Sequence, residues 1–120
     1  MPNERDLRLE GYSIGRNMYR ELKYYCRQYR EKKLFAVLGV EQARRDAELI
    51  ERAAGETCGD LAPFILQAVT TGKSYDIMRA YGIPACRNVF TENRRRFFYR
   101  LAVLKGIIQD EFECSEKRGF

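Results

Sequence analysis

The stretch Ser74-Tyr75-Asp76-Ile77-Met78-Arg79-Ala80-Tyr81-Gly82-Ile83-Pro84-Ala85-Cys86 decides how the chain is read, together with its continuation from Arg87 through Phe97-Phe98-Tyr99 to Lys105. Ser74 is a helix-capping residue type, Gly82 takes the left-handed conformation in which helices commonly end, and Pro84 suits the first turn of a new helix. These positions frame a short helix over 75–81, a turn, and a long helix that begins near Ala85 and runs toward Ile108. The spacing of Ile77, Met78 and Tyr81 predicts the inward face of the short helix. At about 100° per residue, Cys86, Phe90, Phe97, Leu101, Leu104 and Ile108 fall on one apolar stripe of the long helix. Arg87, Arg94, Arg95 and Lys105 gather along one flank of that stripe, while Arg96 and Arg100 lie on the far side.

The rest of the chain is also helical in pattern. Residues 40–54 put Val40, Ala43, Ala47, Ile50 and Ala54 on one face and Glu41, Arg44, Arg45, Glu48 and Arg52 elsewhere, an amphipathic helix whose small residues permit close packing. Asp60 is the expected cap of a helix over 61–71, with Pro63 tolerated in its first turn and Gly72 ending it. Ser13 caps a first helix over 14–38, in which Met18, Leu22, Tyr25 and Tyr29 recur as a buried stripe and a break is expected near Lys33. No segment alternates with period two, and no linker, low-complexity tract or repeat divides the chain. The expectation is an all-α protein, a compact bundle of about five helices in a single domain over 1–120. It reads as an N-terminal arm (1–12), a helical scaffold (13–71), a helix-turn-helix-like unit (74–108) and an acidic tail (109–120).

Composition narrows the function classes. The chain has 120 residues, 45% of them apolar and 32% charged, enough for one folded core and ordinary for a soluble protein. It has no histidine, which removes the side chain best suited to proton transfer near neutrality and the commonest transition-metal ligand. Cys26, Cys58, Cys86 and Cys114 form no C-x-x-C pair, so they read as free, mostly buried thiols rather than metal ligands. Glu41, Glu48, Glu51, Glu56 and Asp60 alternate with arginines as surface ion-pair partners do. No catalytic residue, metal site or cofactor is expected. The N-terminus is charged and no run of about 18 apolar residues occurs, so the chain reads as cytoplasmic and without a membrane segment.

The net charge is +5, and the excess is C-terminal: residues 1–60 hold 12 basic and 11 acidic side chains, residues 61–120 hold 10 and 6. Between Ala85 and Lys105 six cations face one acid, Glu92. Arginine forks bond two phosphate oxygens or guanine's two major-groove acceptors at once. Asn88, Thr91 and Asn93 add neutral groups for base edges or phosphates. A short helix, a Gly turn and a longer basic helix is the layout of a helix-turn-helix, which would bring residues 85–95 to a DNA groove. The expected nucleic-acid contacts are Arg87, Asn88, Thr91, Arg94, Arg95, Arg96, Arg100 and Lys105. The plainer alternative is that Arg94-Arg95-Arg96 is a solvated face and Phe97-Phe98-Tyr99 core and rim. Tyr19, Tyr24, Tyr25 and Tyr29, interleaved with Arg16, Arg20, Lys23, Arg27 and Arg30, read as core packing, with base stacking or a protein interface as the other option.

Several segments together carry a family likeness: Glu10-Gly11-Tyr12-Ser13-Ile14, Tyr19-Arg20-Glu21-Leu22-Lys23-Tyr24-Tyr25-Cys26, Val69-Thr70-Thr71-Gly72, Ile83-Pro84-Ala85-Cys86-Arg87-Asn88-Val89-Phe90 and Arg94-Arg95-Arg96-Phe97-Phe98-Tyr99. Over nearly its whole length the chain resembles small phage and prophage proteins of Firmicutes, loosely similar to the ArpU and RinA phage late-gene activators with their sigma-factor-like helix-turn-helix. The resemblance implies a phage protein acting in a bacterial host cell, and it carries over to the Ile83-Pro84 turn and the Arg94–Tyr99 cluster. The leading expectation is a transcriptional regulator that binds double-stranded DNA, with the first helix as scaffold or homodimer surface. The other is a phage-encoded inhibitor of a host protein or nucleoprotein, such as an anti-CRISPR factor.

Overall fold

Most boundaries between helices fall where local backbone chemistry demands them. A computed structural model describes residues 14–108, and over them the chain is all-helical. Its elements are α1 (Arg16–Arg27), α2 (Tyr29–Val37), α3 (Glu41–Thr57), a 3-10 turn (Gly59–Leu61), α4 (Ala62–Thr71), α5 (Tyr75–Ala80) and α6 (Arg87–Leu104). Six α-helices stand where about five were expected, and no strand occurs among the described residues. The Ser13 cap, the arm over 1–12, the acidic tail over 109–120 and Cys114 lie outside the described residues.

Gly72 closes α4 with φ 75° and Gly82 follows α5 with φ 89°, the left-handed geometry that costs glycine least. The Ser74 hydroxyl accepts from the Ile77 amide and caps α5. Asp60 does not cap α4: it sits inside the 3-10 turn, and the N-cap position belongs to Leu61 with no side-chain cap bond.

The first long helix breaks at Gln28 (φ −86°, ψ 1°), five residues before the expected break at Lys33, and no Gly or Pro marks the place. Long-range anchors flank it instead. The Tyr25 hydroxyl donates to Asp46 Oδ1 on α3 at 2.9 Å, and the Tyr29 hydroxyl donates to the Glu51 carboxylate. Lys32 and Lys33 pair with the same two acids at 2.7 and 3.0 Å. α2 buries no residue fully; these polar contacts and the half-buried Tyr29 tie it to α3 and the core, and Leu34, Phe35, Val37 and Leu38 stay exposed at that end. Val40, expected on the buried face of α3, is exposed there too, whereas Ala43, Ala47, Ile50 and Ala54 are buried as expected.

α6 contributes the centre of the core. Phe90, Phe97, Phe98 and Leu101 are at most 1% exposed. They share one cluster with Tyr19, Leu22 and Cys26 of α1, Ile50 and Ala53 of α3, Ile65 of α4 and Met78 of α5. From Phe97 to Ala102 every residue but Arg100 is buried, so the second half of α6 is enclosed around most of its circumference rather than along one stripe. Two expectations are corrected at the ends of that stripe. Cys86 is exposed, because the helix begins at Arg87 and Cys86 is its N-cap. Leu104 and Ile108 are half-buried, because the helix ends at Leu104. On α5 only Met78 is buried; Ile77 and Tyr81 face outward, since six residues present a single inward position.

Candidate nucleic-acid interface

α5 and α6 are joined by residues 81–86, a longer connection than the three or four residues usual in a helix-turn-helix. Its path is nonetheless fixed. The Tyr81 and Ile83 amides both donate to the Met78 carbonyl, at 3.0 and 3.2 Å. The Tyr75 hydroxyl donates to the Ala85 carbonyl at 2.9 Å, and the Tyr75 and Phe90 rings meet at 5.5 Å. With Ile83 and Met78 buried, the entry to α6 is pinned to the start of α5. The first half of α6 is therefore seated on a rigid base, with Arg87, Asn88, Val89 and Arg96 exposed, Thr91 to Arg95 half-buried and Phe90 its buried anchor.

The eight expected contact residues fall into separate groups. Arg87, Thr91 and Arg94 line one cleft of about 320 Å³ between α1, the α4–α5 link and α6. Arg87 pairs with Asp76 at 2.8 Å and lies over the Tyr75 ring; Arg94 lies over the Phe90 ring. Asn88 is exposed one position along. Arg95 and Arg96 both approach Glu92, at 3.4 and 3.7 Å, so the one acid of the segment is neutralised by its helical neighbours. The Asn93 amide is turned back onto its own helix, donating to the Val89 carbonyl at 2.8 Å.

Arg100 and Lys105 do not join this group. Arg100 reaches Glu56 on α3 at 2.6 Å, in a pair that Arg52 also enters at 2.5 Å, and acts as a tie between α6 and α3. Lys105 lies 3.5 Å from the centre of the Tyr25 ring on the opposite side of α1. Burial there pushes its ammonium below the ordinary lysine range, against the pull of Asp46. The reason is position on the helix: Arg100 lies within the enclosed stretch Phe97–Ala102 and meets α3, and Lys105, exposed at the C-cap, sits past the end of α6 beside α1.

The cleft also gathers residues that sequence reasoning did not place in the site. Lys23 and Arg27 of α1 and Lys73 of the α4–α5 link line it beside Arg87 and Arg94, and Asp76 is the one acid among the described lining residues. Lys23 and Arg27, one helical turn apart next to Tyr19, were visible as part of the tyrosine-rich helix; nothing in the sequence linked them to Arg94. Of the tyrosines, Tyr19 is buried, Tyr25 and Tyr29 are half-buried and Tyr24 is exposed. Among the described residues no group of three or more His, Cys, Asp or Glu is placed to hold a metal ion, and no helix is long and apolar enough to cross a membrane. No protein-family model, curated protein or solved structure matches the chain.

Proposed function

We propose that the chain binds double-stranded DNA through the first half of α6, as a phage-type transcriptional regulator with a helix-turn-helix-like unit built from α5 and α6. The observation that carries this reading is the division of α6 into a buried half, Phe97–Ala102, and a more accessible first half in which exposed Arg87 and Asn88 and half-buried Thr91, Arg94 and Arg95 fall on one side at about 100° per residue. The Arg87–Asp76 pair does not oppose it, because both side chains are more than 60% exposed and exposed pairs contribute only about 0–1 kcal/mol. A phosphate can displace such a partner. The likeness to ArpU- and RinA-type regulators supports the same reading.

The test is fluorescence anisotropy of a labelled duplex across a salt series. Affinity is expected to fall steeply with salt, with a log–log slope of about −0.9 for each phosphate neutralised. Arg87→Ala with Arg94→Ala weakens binding and lowers that slope by roughly two, while Arg100→Ala leaves it unchanged. Asn88→Ala shifts sequence preference by about 1–3 kcal/mol at one position if it reaches a base edge. A binding curve flat in salt, or equal losses for Arg100→Ala and the Arg87/Arg94 pair, sinks the reading.

A second reading, an inhibitor of a host protein or nucleoprotein, draws on a different feature: Leu34, Phe35, Val37 and Leu38 stand exposed together, and clustered exposed apolar residues mark protein contacts. A pull-down from nuclease-treated host lysate separates the two, since protein partners lost on nuclease treatment count against it.

A further inference from the structure

The cleft beside α6 has a composition that the α5–α6 unit alone does not provide. Three of its five cations, Lys23, Arg27 and Lys73, come from α1 and the α4–α5 link, and with Asp76 as the acid its lining carries five positive charges and one negative. Arg27 lies across Gly72: a Cβ built on Gly72 would meet the Arg27 guanidinium, the far end of an exposed side chain. The absence of a side chain at Gly72 thus leaves the space that the guanidinium fills, at the C-terminal end of α4, where the helix dipole favours a cation. Gly72 also has φ 75°, so the residue that ends α4 is the one over which Arg27 lies.

The lining selects a phosphate rather than a base. The aromatic rings Tyr19, Phe90 and Phe98 of the lining are at most 2% exposed and cannot receive a stacked base, and the half-buried Tyr75 ring already lies under the Arg87 guanidinium and against Phe90. A base edge also presents donors that need acceptors, whereas the charged groups here are donors apart from Asp76, which Arg87 already engages. The volume of about 320 Å³ admits one or two phosphate groups and excludes a duplex. Arg87 and Arg94 belong both to this cleft and to the first half of α6, so a strand flanking a groove-bound α6 runs past its mouth.

We propose that this cleft is a phosphate seat for the DNA strand beside α6, with Arg27 and Lys73 as backbone contacts supplied from outside the helix-turn-helix-like unit. The proposal rests on the duplex-binding reading, and α1 then holds the DNA in register besides packing the core.

The experiment measures anisotropy of a random-sequence duplex against a potassium chloride series for the full chain, Arg27→Gln, Lys73→Gln, the double variant and Arg27→Lys, with melting curves to verify the fold. The double variant is expected to lose affinity about equally for every sequence tried and to lower the salt slope by roughly two, one contact for each cation removed. Arg27→Lys retains the slope. Wild-type binding with an unchanged slope in a folded double variant overturns the seat alone; absence of any wild-type binding overturns the duplex reading and the seat with it. A third arm titrates tripolyphosphate without DNA by calorimetry. Saturable binding that needs Arg27 and Lys73, alongside an unchanged DNA slope, assigns the cleft to a free phosphate ligand and overturns the strand.

Discussion

Replacing Phe98 by alanine tests whether the second half of α6 is interior. Phe98 is 1% exposed and stands edge-on to both Tyr19 and Phe97, with ring centres 5.1 Å away in each case. Deleting a buried ring removes its transfer free energy and leaves a cavity, at a cost of about 3–5 kcal/mol. The upper part of that range applies, because Tyr19 and Phe97 are themselves buried and locked by their own neighbours, and two aromatic contacts of about 0.5–1.5 kcal/mol each are lost as well. For a domain of this size each kcal/mol moves Tm by about 4 °C, so a loss of about 4–5 kcal/mol lowers it by roughly 16–20 °C. Phe98→Leu keeps most of the volume and is expected to cost under about 1.5 kcal/mol. Urea denaturation followed by far-UV circular dichroism measures both. Surface substitutions usually fall within about 0.5 kcal/mol; a value that small for Phe98→Ala would mean that residues 97–99 face solvent, and the division of α6 into a buried and a more accessible half would fail.

Acid should loosen the α2–α3 hairpin. Burial works to raise the Asp46 carboxyl, but hydrogen bonds from Lys32, Tyr25 and Gln42 outweigh it and hold the group below the ordinary aspartate range; Glu51 is held down likewise by Tyr29 and Lys33. With folded values below the unfolded ones of about 3.9 and 4.3, the stabilisation is complete above those values and is lost as pH falls through the folded ones. Urea midpoints should drop below about pH 5, and Asp46→Asn should flatten that drop; parallel wild-type and variant curves would refute the assignment. The thiols give a separate check, because Cys86 is exposed while Cys26 and Cys58 are buried and burial raises the pKa of both buried thiols. In a Cys114→Ser background, one fast-labelling thiol is expected and Cys86→Ser removes it. That same change supplies α6 with the side-chain N-cap it lacks and should stabilise the fold by about 0.5–1 kcal/mol, so a lowered urea midpoint would contradict the placement of Cys86.

The boundaries that local chemistry dictates were legible in the sequence: Ser74, Gly72 and Gly82 act as read. Gln28 was not, because its break is anchored by Tyr25 and Tyr29 reaching acids more than twenty positions away. The apolar stripe of α6 was read at the width of an amphipathic surface helix, yet α1, α3 and α4 pack around it together, and Phe98, Tyr99 and Ala102 join the core outside the stripe. Tertiary enclosure is invisible to a periodicity. The same limit applies to the cleft: Arg87 and Arg94 could be found by their spacing, but Arg27 and Lys73 lie far away in sequence and meet them only through the fold. Arg100 and Lys105 share the charge of the segment but not its place: Arg100 is drawn to Glu56 and Lys105 lies against Tyr25, which a count of charges along the sequence does not register.

The placement of α6 at the centre of the core also bears on how the chain is made. Tyr19 of α1 meets Phe98 of the last described helix and Leu22 shares its core cluster, and contacts so distant along the chain close slowly. While the ribosome is still adding residues before Phe97, helices α1 to α5 have no Phe97, Phe98 or Leu101 to cover them, and their inner faces remain open to water. The nascent chain therefore behaves as a set of unsealed amphipathic helices until its most basic segment emerges, and folding and the acquisition of positive charge are completed by the same stretch of translation.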